Sequence, residues 1–384
     1  MQMNVFGSSE QLFIELLQVA MGNRTGLSRI PAIHEWEEVK ALCLKHTLQG
    51  VGFYALQRLA EDGGDVVPPR ALLWEMYSVS MALKRQNEHL VADILNLTRI
   101  LEQEGFGTCI LKGQGLAMLY PAGMERMPGD IDVWVARDNV DAALKARRKD
   151  VLRLCRRVVG HRPVFYHHTD FPLKGKEIEM HFTPSWMFAP WHNARLQRFF
   201  DEEWKRRRFV DGSELPVHDR NFAAKGYYVP SAEMNVVYVL LHIYRHVFAE
   251  GVGLRQVVDY YFVLKHEVAD RDRVLAVLKS LGMLPFASAV MWVMGEVLAM
   301  DEDDMLCPPD ARKGRLLLDE IMKAGNFGKW DERISGTDRS SLWCRFYENM
   351  QRNLRFVCHY PSESICAPFW KTWQKMWRRA NGFY

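Results

Sequence analysis

The segment Asp130-Ile131-Asp132-Val133-Trp134-Val135 leaves a chain few ways to fold locally. Side chains leave a strand on alternating faces, so Ile131, Val133 and Val135 can enter a core together while Asp130 and Asp132 share the opposite face. Aspartate is depleted in strands, and two carboxylates side by side repel each other unless positive charge lies between them. A metal ion, or another compensating charge, is therefore expected at this face.

The flanking sequence extends the pattern. Upstream, Thr108–Leu111 reads as a strand ending at Lys112-Gly113, with a short helix after the turn. Downstream, Val164–Phe171 and Glu177–Thr183 read as two strands joined by Leu173-Lys174-Gly175-Lys176, a hairpin signal. In the second of these, Ile178, Met180 and Phe182 share the face expected to be buried, and Glu177, Glu179 and His181 share the other. A glycine turn followed by paired carboxylates on a strand suits Mg²⁺-dependent phosphoryl or nucleotidyl transfer.

These residues resemble the nucleotidyltransferase superfamily with the DNA polymerase β-like core. More closely, Leu111-Lys112-Gly113, Tyr120-Pro121, Arg126 and Asp130-Ile131-Asp132 are similar to an uncharacterised bacterial nucleotidyltransferase family. His167-His168, the Glu179-Met180-His181 strand, His242 with His246, and Leu254–Asp259 extend the resemblance over roughly residues 90–270. The turn departs from the usual Gly-Ser or Gly-Gly, reading Lys112-Gly113-Gln114-Gly115. The resemblance implies an α+β fold, with a small mixed β-sheet nucleotidyltransferase core flanked by N- and C-terminal helical regions. It implies transfer of a nucleoside monophosphate from an NTP to a hydroxyl or other nucleophile, releasing pyrophosphate. The acceptor stays open among small molecules, RNA and proteins; a non-catalytic nucleotide-binding regulator and a toxin-like enzyme acting on RNA are the rival readings.

Within that reading Asp130, Asp132 and Glu179 are the catalytic and metal-binding carboxylates, with Mg²⁺ as the ion and Mn²⁺ as its substitute. Glu177 is the reserve third carboxylate, and Glu179 is either a ligand or a general base. Gly113 lets the backbone approach a phosphate, or is an ordinary tight turn. Lys112 neutralises phosphate charge or ends a strand in solvent. Arg126 clamps a triphosphate or lies on the surface. His181, on the Glu179 face, joins Lys112, Gly113 and Arg126 as a nucleotide-binding candidate.

The rest of the chain narrows the possibilities. Its 384 residues have room for two or three domains, and 48% hydrophobic with 25% charged residues is ordinary globular composition. A net charge of +3 does not by itself point to nucleic acid. Seven scattered cysteines without a Cys-x-x-Cys pair suit reduced thiols, and no evident signal peptide or spanning stretch of ~20 apolar residues suits a cytoplasmic protein.

The expected division is a helical region over 1–104, a catalytic core over 105–222 and a helical region over 223–384. Arg70–Glu104 lacks Pro and Gly and predicts one long helix ending at Gly105, a spine for the sheet. Further helices are expected over Asp138–Val159, Asn193–Trp204, Ser231–Phe248 (capped by Ser231), Asp270–Leu281 and Pro285–Ala299. His242 and His246 share a helix face, but Ile243 replaces the glutamate of a zinc protease motif, so packing is the expected role. Arg255 and Asp259 are expected to pair or to face the nucleotide. The basic runs Arg147-Arg148-Lys149 and Lys205–Arg208 are expected to be solvated, or else to contact RNA or another polyanion, and the helix bearing Trp370, Trp373 and Trp377 to dock on the body rather than to lie on a membrane surface or a partner.

Overall fold

The computed structural model describes residues 6–61, 68–137, 143–173, 175–176, 178–215, 225–331, 333, 350–351 and 353–383. It is an α+β fold. Helices α1 (Ser8–Met21), α2 (Ile33–Lys45), α3 (Gln49–Glu61) and α4 (Arg70–Gln103) precede the strands. β1 (Gly107–Ile110), α5 (Gln114–Ala117), β2 (Ile131–Ala136), α6 (Leu144–Val158), β3 (His168–Asp170) and β4 (Ile178–His181) follow. Then come α7 (Pro190–Trp204), the strands β5 (Arg208–Asp211) and β6 (Gly226–Val229), α8 (Ala232–Ala249), α9 (Leu254–His266), α10 (Arg271–Ser280), α11 (Leu284–Leu298) and α12 (Ala311–Ala324). A helix over Pro361–Ala380 lies near the end of the chain.

α4 is the predicted spine. Its 34 residues extend about 50 Å at the α-helical rise. The first half contributes Leu72 and Met76 to a core shared with α1–α3, α8, α9, α11 and α12. The second half contributes Leu90, Val91, Ile94, Leu95, Leu97 and Leu101 to a different core beneath the sheet. The helix ends as expected: Gly105 takes φ +74°, and the Phe106 amide closes the turn on the Leu101 carbonyl at 2.9 Å.

The sheet runs in the order β1-β2-β4-β3, with β2 and β4 parallel and both outer pairs antiparallel. Its lower face carries Ile131, Val133, Val135, Ile178, Met180 and Phe182 into the core with Val151, Leu152, Leu154 and Cys155 of α6. The predicted alternation in these strands therefore holds.

Two expectations need correction. Val164–Phe171 is not one strand: Val164 bridges to Thr169, and the Phe165 amide donates to the His168 carbonyl at 2.9 Å. The chain doubles back at Tyr166-His167, leaving three residues for β3. Asp130 precedes β2 and is exposed, whereas Asp132 lies inside it and is buried, so the two aspartates occupy different environments. The hairpin from β3 to β4 does form, through the Leu173–Lys176 bridge. Asp138–Ala142 at the start of the expected α6, and the reserve carboxylate Glu177, lie outside the described residues.

The Ser231 hydroxyl accepts from the Met234 amide at 3.1 Å and caps α8 as predicted. The tryptophan helix docks on the body. Trp370 stacks on Trp186 with centroids 5.0 Å apart, and Tyr166 meets the edges of Trp370, Trp373 and Trp377. Among the described residues no helix is long and apolar enough to cross a membrane.

Candidate active site

Strand register builds the site. Asp132 pairs with Glu179, and Glu179 with Asp170, giving a row of three carboxyl-bearing positions across the upper face. The next row is Trp134, His181 and His168. Asp170 was not singled out from the sequence, although the alternation His168-Thr169-Asp170 matches that of Glu179-Met180-His181. Finding it required knowing that β3 lies beside β4.

Four sequence candidates converge here. Lys112 Nζ lies 3.1 Å from Asp132 Oδ1, and His181 Nε2 lies 3.0 Å from the same oxygen and 3.2 Å from Glu179 Oε2. Lys112 reaches inward because the turn after β1 is left-handed, with φ +22° at Lys112 and +49° at Gly113. Glycine relieves that turn at the second position, next to the Asp130 carbonyl. Burial works against the charge on His181, but hydrogen bonds to Asp132 and Glu179 raise its pKa above the ordinary histidine value. Burial likewise acts to raise Glu179, and His181, His168 and Lys112 more than reverse this, holding it well below the usual carboxylate range.

His167 and His168 stand beside this group. His168 Nε2 is 3.7 Å from Glu179 Oε1, and its Nδ1 is 3.0 Å from His167 Nε2. Burial pushes His168 down to about 3 against the pull of Glu179, and keeps His167 well below its normal value. Trp186 packs on His167 at 4.1 Å, and Arg245 of α8 lies 3.2 Å above the Trp186 ring. Arg245 went unnoticed in the sequence because nothing local distinguishes it from other helix arginines.

Arg126 is placed elsewhere. Its Nε and Nη2 donate to Asp259 Oδ1 and Oδ2 at 2.6 and 2.8 Å, and Tyr120 donates to Oδ1 at 2.7 Å. The expected Arg255–Asp259 pair is thus replaced: Asp259 takes Arg126, and Arg255 donates to the Met127 carbonyl at 3.2 Å. Arg126 is geometrically better suited, because its fork meets both carboxylate oxygens. His242 and His246 pack with ring centroids 4.3 Å apart. Burial, then Lys112 and neighbouring cations, keep both neutral.

The oxygen donors fit a hard divalent ion. Asp132 and Glu179 are register partners on one face, Asp130 lies exposed two residues before Asp132, and Lys112 stands against Asp132. Compensating charge at this carboxylate is what the strand pattern required.

Residues 34–299 match the model of a family described as an uncharacterised nucleotidyltransferase. No curated protein matches the chain. Among solved structures, an antigenic nucleotidyltransferase-like protein from Paracoccidioides brasiliensis is 12% identical, with a TM-score of 0.31, over 53% of this chain and 91% of its own.

Proposed function

The chain belongs to this uncharacterised nucleotidyltransferase family, and on that premise we propose that it moves a nucleoside monophosphate from an NTP to a hydroxyl or other nucleophile on an acceptor. The observation that carries the reading is the Asp132–Glu179 register pair facing Lys112 beside the Gly113 turn.

Asp130, Asp132 and Glu179 would hold Mg²⁺, or Mn²⁺ in its place. Such an ion supplies charge neutralisation at the triphosphate and lowers the pKa of the acceptor hydroxyl. Lys112 offers a phosphate oxygen a point charge in exchange for its contact with Asp132. Gly113 leaves the backbone open to a phosphate. His181, whose pKa is raised by its hydrogen bonds to Asp132 and Glu179, stands at the same face. Glu179 stays ionised and can accept the acceptor's proton. The acceptor oxygen then bonds to the α-phosphorus as the bond to the bridging oxygen breaks, and pyrophosphate leaves. Arg126 would meet a triphosphate only by giving up Asp259; as it stands, it holds the loop that leads into Asp130.

Calorimetric titration of each NTP with and without Mg²⁺ tests the reading. Metal-dependent binding is expected in the wild type and should be lost in Asp130→Asn/Asp132→Asn. A folded wild type that binds no NTP in any condition would sink it, and binding without turnover on any acceptor would favour the regulator.

One observation favours RNA among the acceptors. A groove of about 490 Å³ between α6 and the Pro361–Ala380 helix is lined by Lys145, Arg148, Lys149 and Arg156, with Trp377 and Phe383. Cations interleaved with aromatic rings suit a single-stranded polyanion. RNA binding that weakens steeply with salt would support this acceptor, and salt-insensitive use of a small molecule would exclude it.

A further inference from the structure

Beside the carboxylate row is a group with different donor chemistry. His167, His168, Glu179 and His181 each present one donor atom, and all four atoms lie within 4.8 Å of one another. We propose that these residues form a second metal site, one that selects a nitrogen-preferring divalent ion such as Zn²⁺ rather than Mg²⁺.

Spacing supports the assignment. Four tetrahedral ligands at Zn–N distances of about 2.0–2.1 Å stand about 3.3 Å apart along each edge. His181 Nε2 stands 3.2 Å from Glu179 Oε2 and His168 Nε2 stands 3.7 Å from Glu179 Oε1, and one donor atom from each of the four residues falls within 4.8 Å of the others. Small rotations of the rings would bring such a set onto one ion.

Donor type supports it too. Three imidazole nitrogens and one carboxylate oxygen form a borderline set that suits Zn²⁺ and its first-row neighbours, whereas Mg²⁺ takes oxygen and water. The rings are already held: Phe165 stacks on His168 at 4.7 Å, and Trp186 covers His167. Such packing fixes ligand orientation and excludes water.

Hydrogen bonding leaves ring nitrogens of this group over. The Nδ1 atoms of His167 and His181 are buried with no partner among the described residues. Without a cation, a proton on His181 Nδ1 leaves the Nε2 lone pair facing two carboxylate oxygens. A proton on Nε2 alone leaves Nδ1 a buried acceptor with no donor. An ion between Nε2 and Glu179 removes the first conflict. The site shares Glu179 and His181 with the proposed reaction, but its ligand set stands on the clustering of four donor atoms, whatever that reaction is.

The test uses Co²⁺ as the probe, added without nucleotide to full-length protein stripped by a chelator. One Co²⁺ per chain should bind with the intense visible absorption of a four-coordinate ion. His168→Gln and His181→Gln should each weaken binding about tenfold or more, while Asp130→Asn/Asp132→Asn should keep the band. X-ray absorption on the Zn²⁺-loaded wild type, which needs no variant to fold, should show a first shell dominated by imidazole nitrogen. A pale six-coordinate spectrum, an all-oxygen shell, or binding lost with the aspartates and kept with His168→Gln would overturn the site. NTP–Mg²⁺ calorimetry on the same stripped protein reads the reaction separately, so either reading can fail while the other stands.

Discussion

Two buried charge clusters share the stretch from Lys112 to Asp132, and they are built differently. In Arg126–Asp259–Tyr120 both carboxylate oxygens are filled by a guanidinium fork and a phenol, at 2.6–2.8 Å. In Lys112–Asp132–His181–Glu179–His168 the contacts are single-point and longer, 3.0–3.7 Å, with ring nitrogens left over. A cluster whose valences are filled is a clasp, fastening the loop before β2 to α9. A cluster with donors and acceptors to spare has room for a ligand. Family motifs marked residues of both kinds, and only their partners separate them.

The largest expected effect breaks the closed cluster. Asp259→Ala leaves Arg126 buried and unpaired, which costs about 3–5 kcal/mol of folding stability, readable as a lowered denaturation midpoint. A loss below about 1 kcal/mol would mean that the clasp is not closed and that the contrast fails.

Acid should then distinguish the clusters. His168 sits near 3 in the fold against 6.5 when unfolded, so on acidification the unfolded chain takes up this proton first. Its contribution to stability is intact above about 6.5 and is lost as pH falls toward the folded value. In metal-free protein, His168→Gln should therefore reduce the stability lost between pH 7 and pH 5 by about 2 kcal/mol. Asp259, with its pKa depressed by Arg126 despite burial, contributes above 3.8 and loses that contribution only below it. It is silent across the same interval. Unchanged acid sensitivity in the His168 variant would remove this distinction.

A smaller effect is expected where a carboxylate is satisfied by neutral donors. Glu363 accepts from the Phe188 and Ala189 amides at 2.7 and 3.1 Å, joining the tryptophan helix to the start of α7. Glu363→Gln keeps one good acceptor and should cost about 1–2 kcal/mol by denaturant titration. A cost equal to that of Asp259→Ala would show that burial, rather than the charged partner, sets the scale.

Much of this could be read from local patterns. The 35-residue run without Pro or Gly, the Gly105 stop, the Ser231 cap and the alternation in β2 and β4 are all short-range signals, and each appears in the structure. Lys112, Asp132, Glu179 and His181 were legible as candidates because each lies at the end or on the polar face of a recognisable strand. What escaped depended on neighbours distant in sequence. Asp170 joins the carboxylate row only through β3–β4 pairing, Arg245 arrives from α8, and Arg255 loses Asp259 to a residue 133 positions away. The doubling-back at Tyr166-His167 also escaped, since Val164–Phe171 has strand composition throughout and its turn lacks glycine.

The sequence by itself determined which residues carry charge, which strand face is apolar and where the long helix stops. These follow from side-chain alternation and backbone freedom within a few residues. Tertiary structure alone decided that Asp132 is buried while Asp130 is exposed, that Arg126 closes on Asp259, and that three histidines gather around Glu179. Burial and pairing depend on which distant segments exclude water from a site, and strand order and helix packing set that across the whole chain.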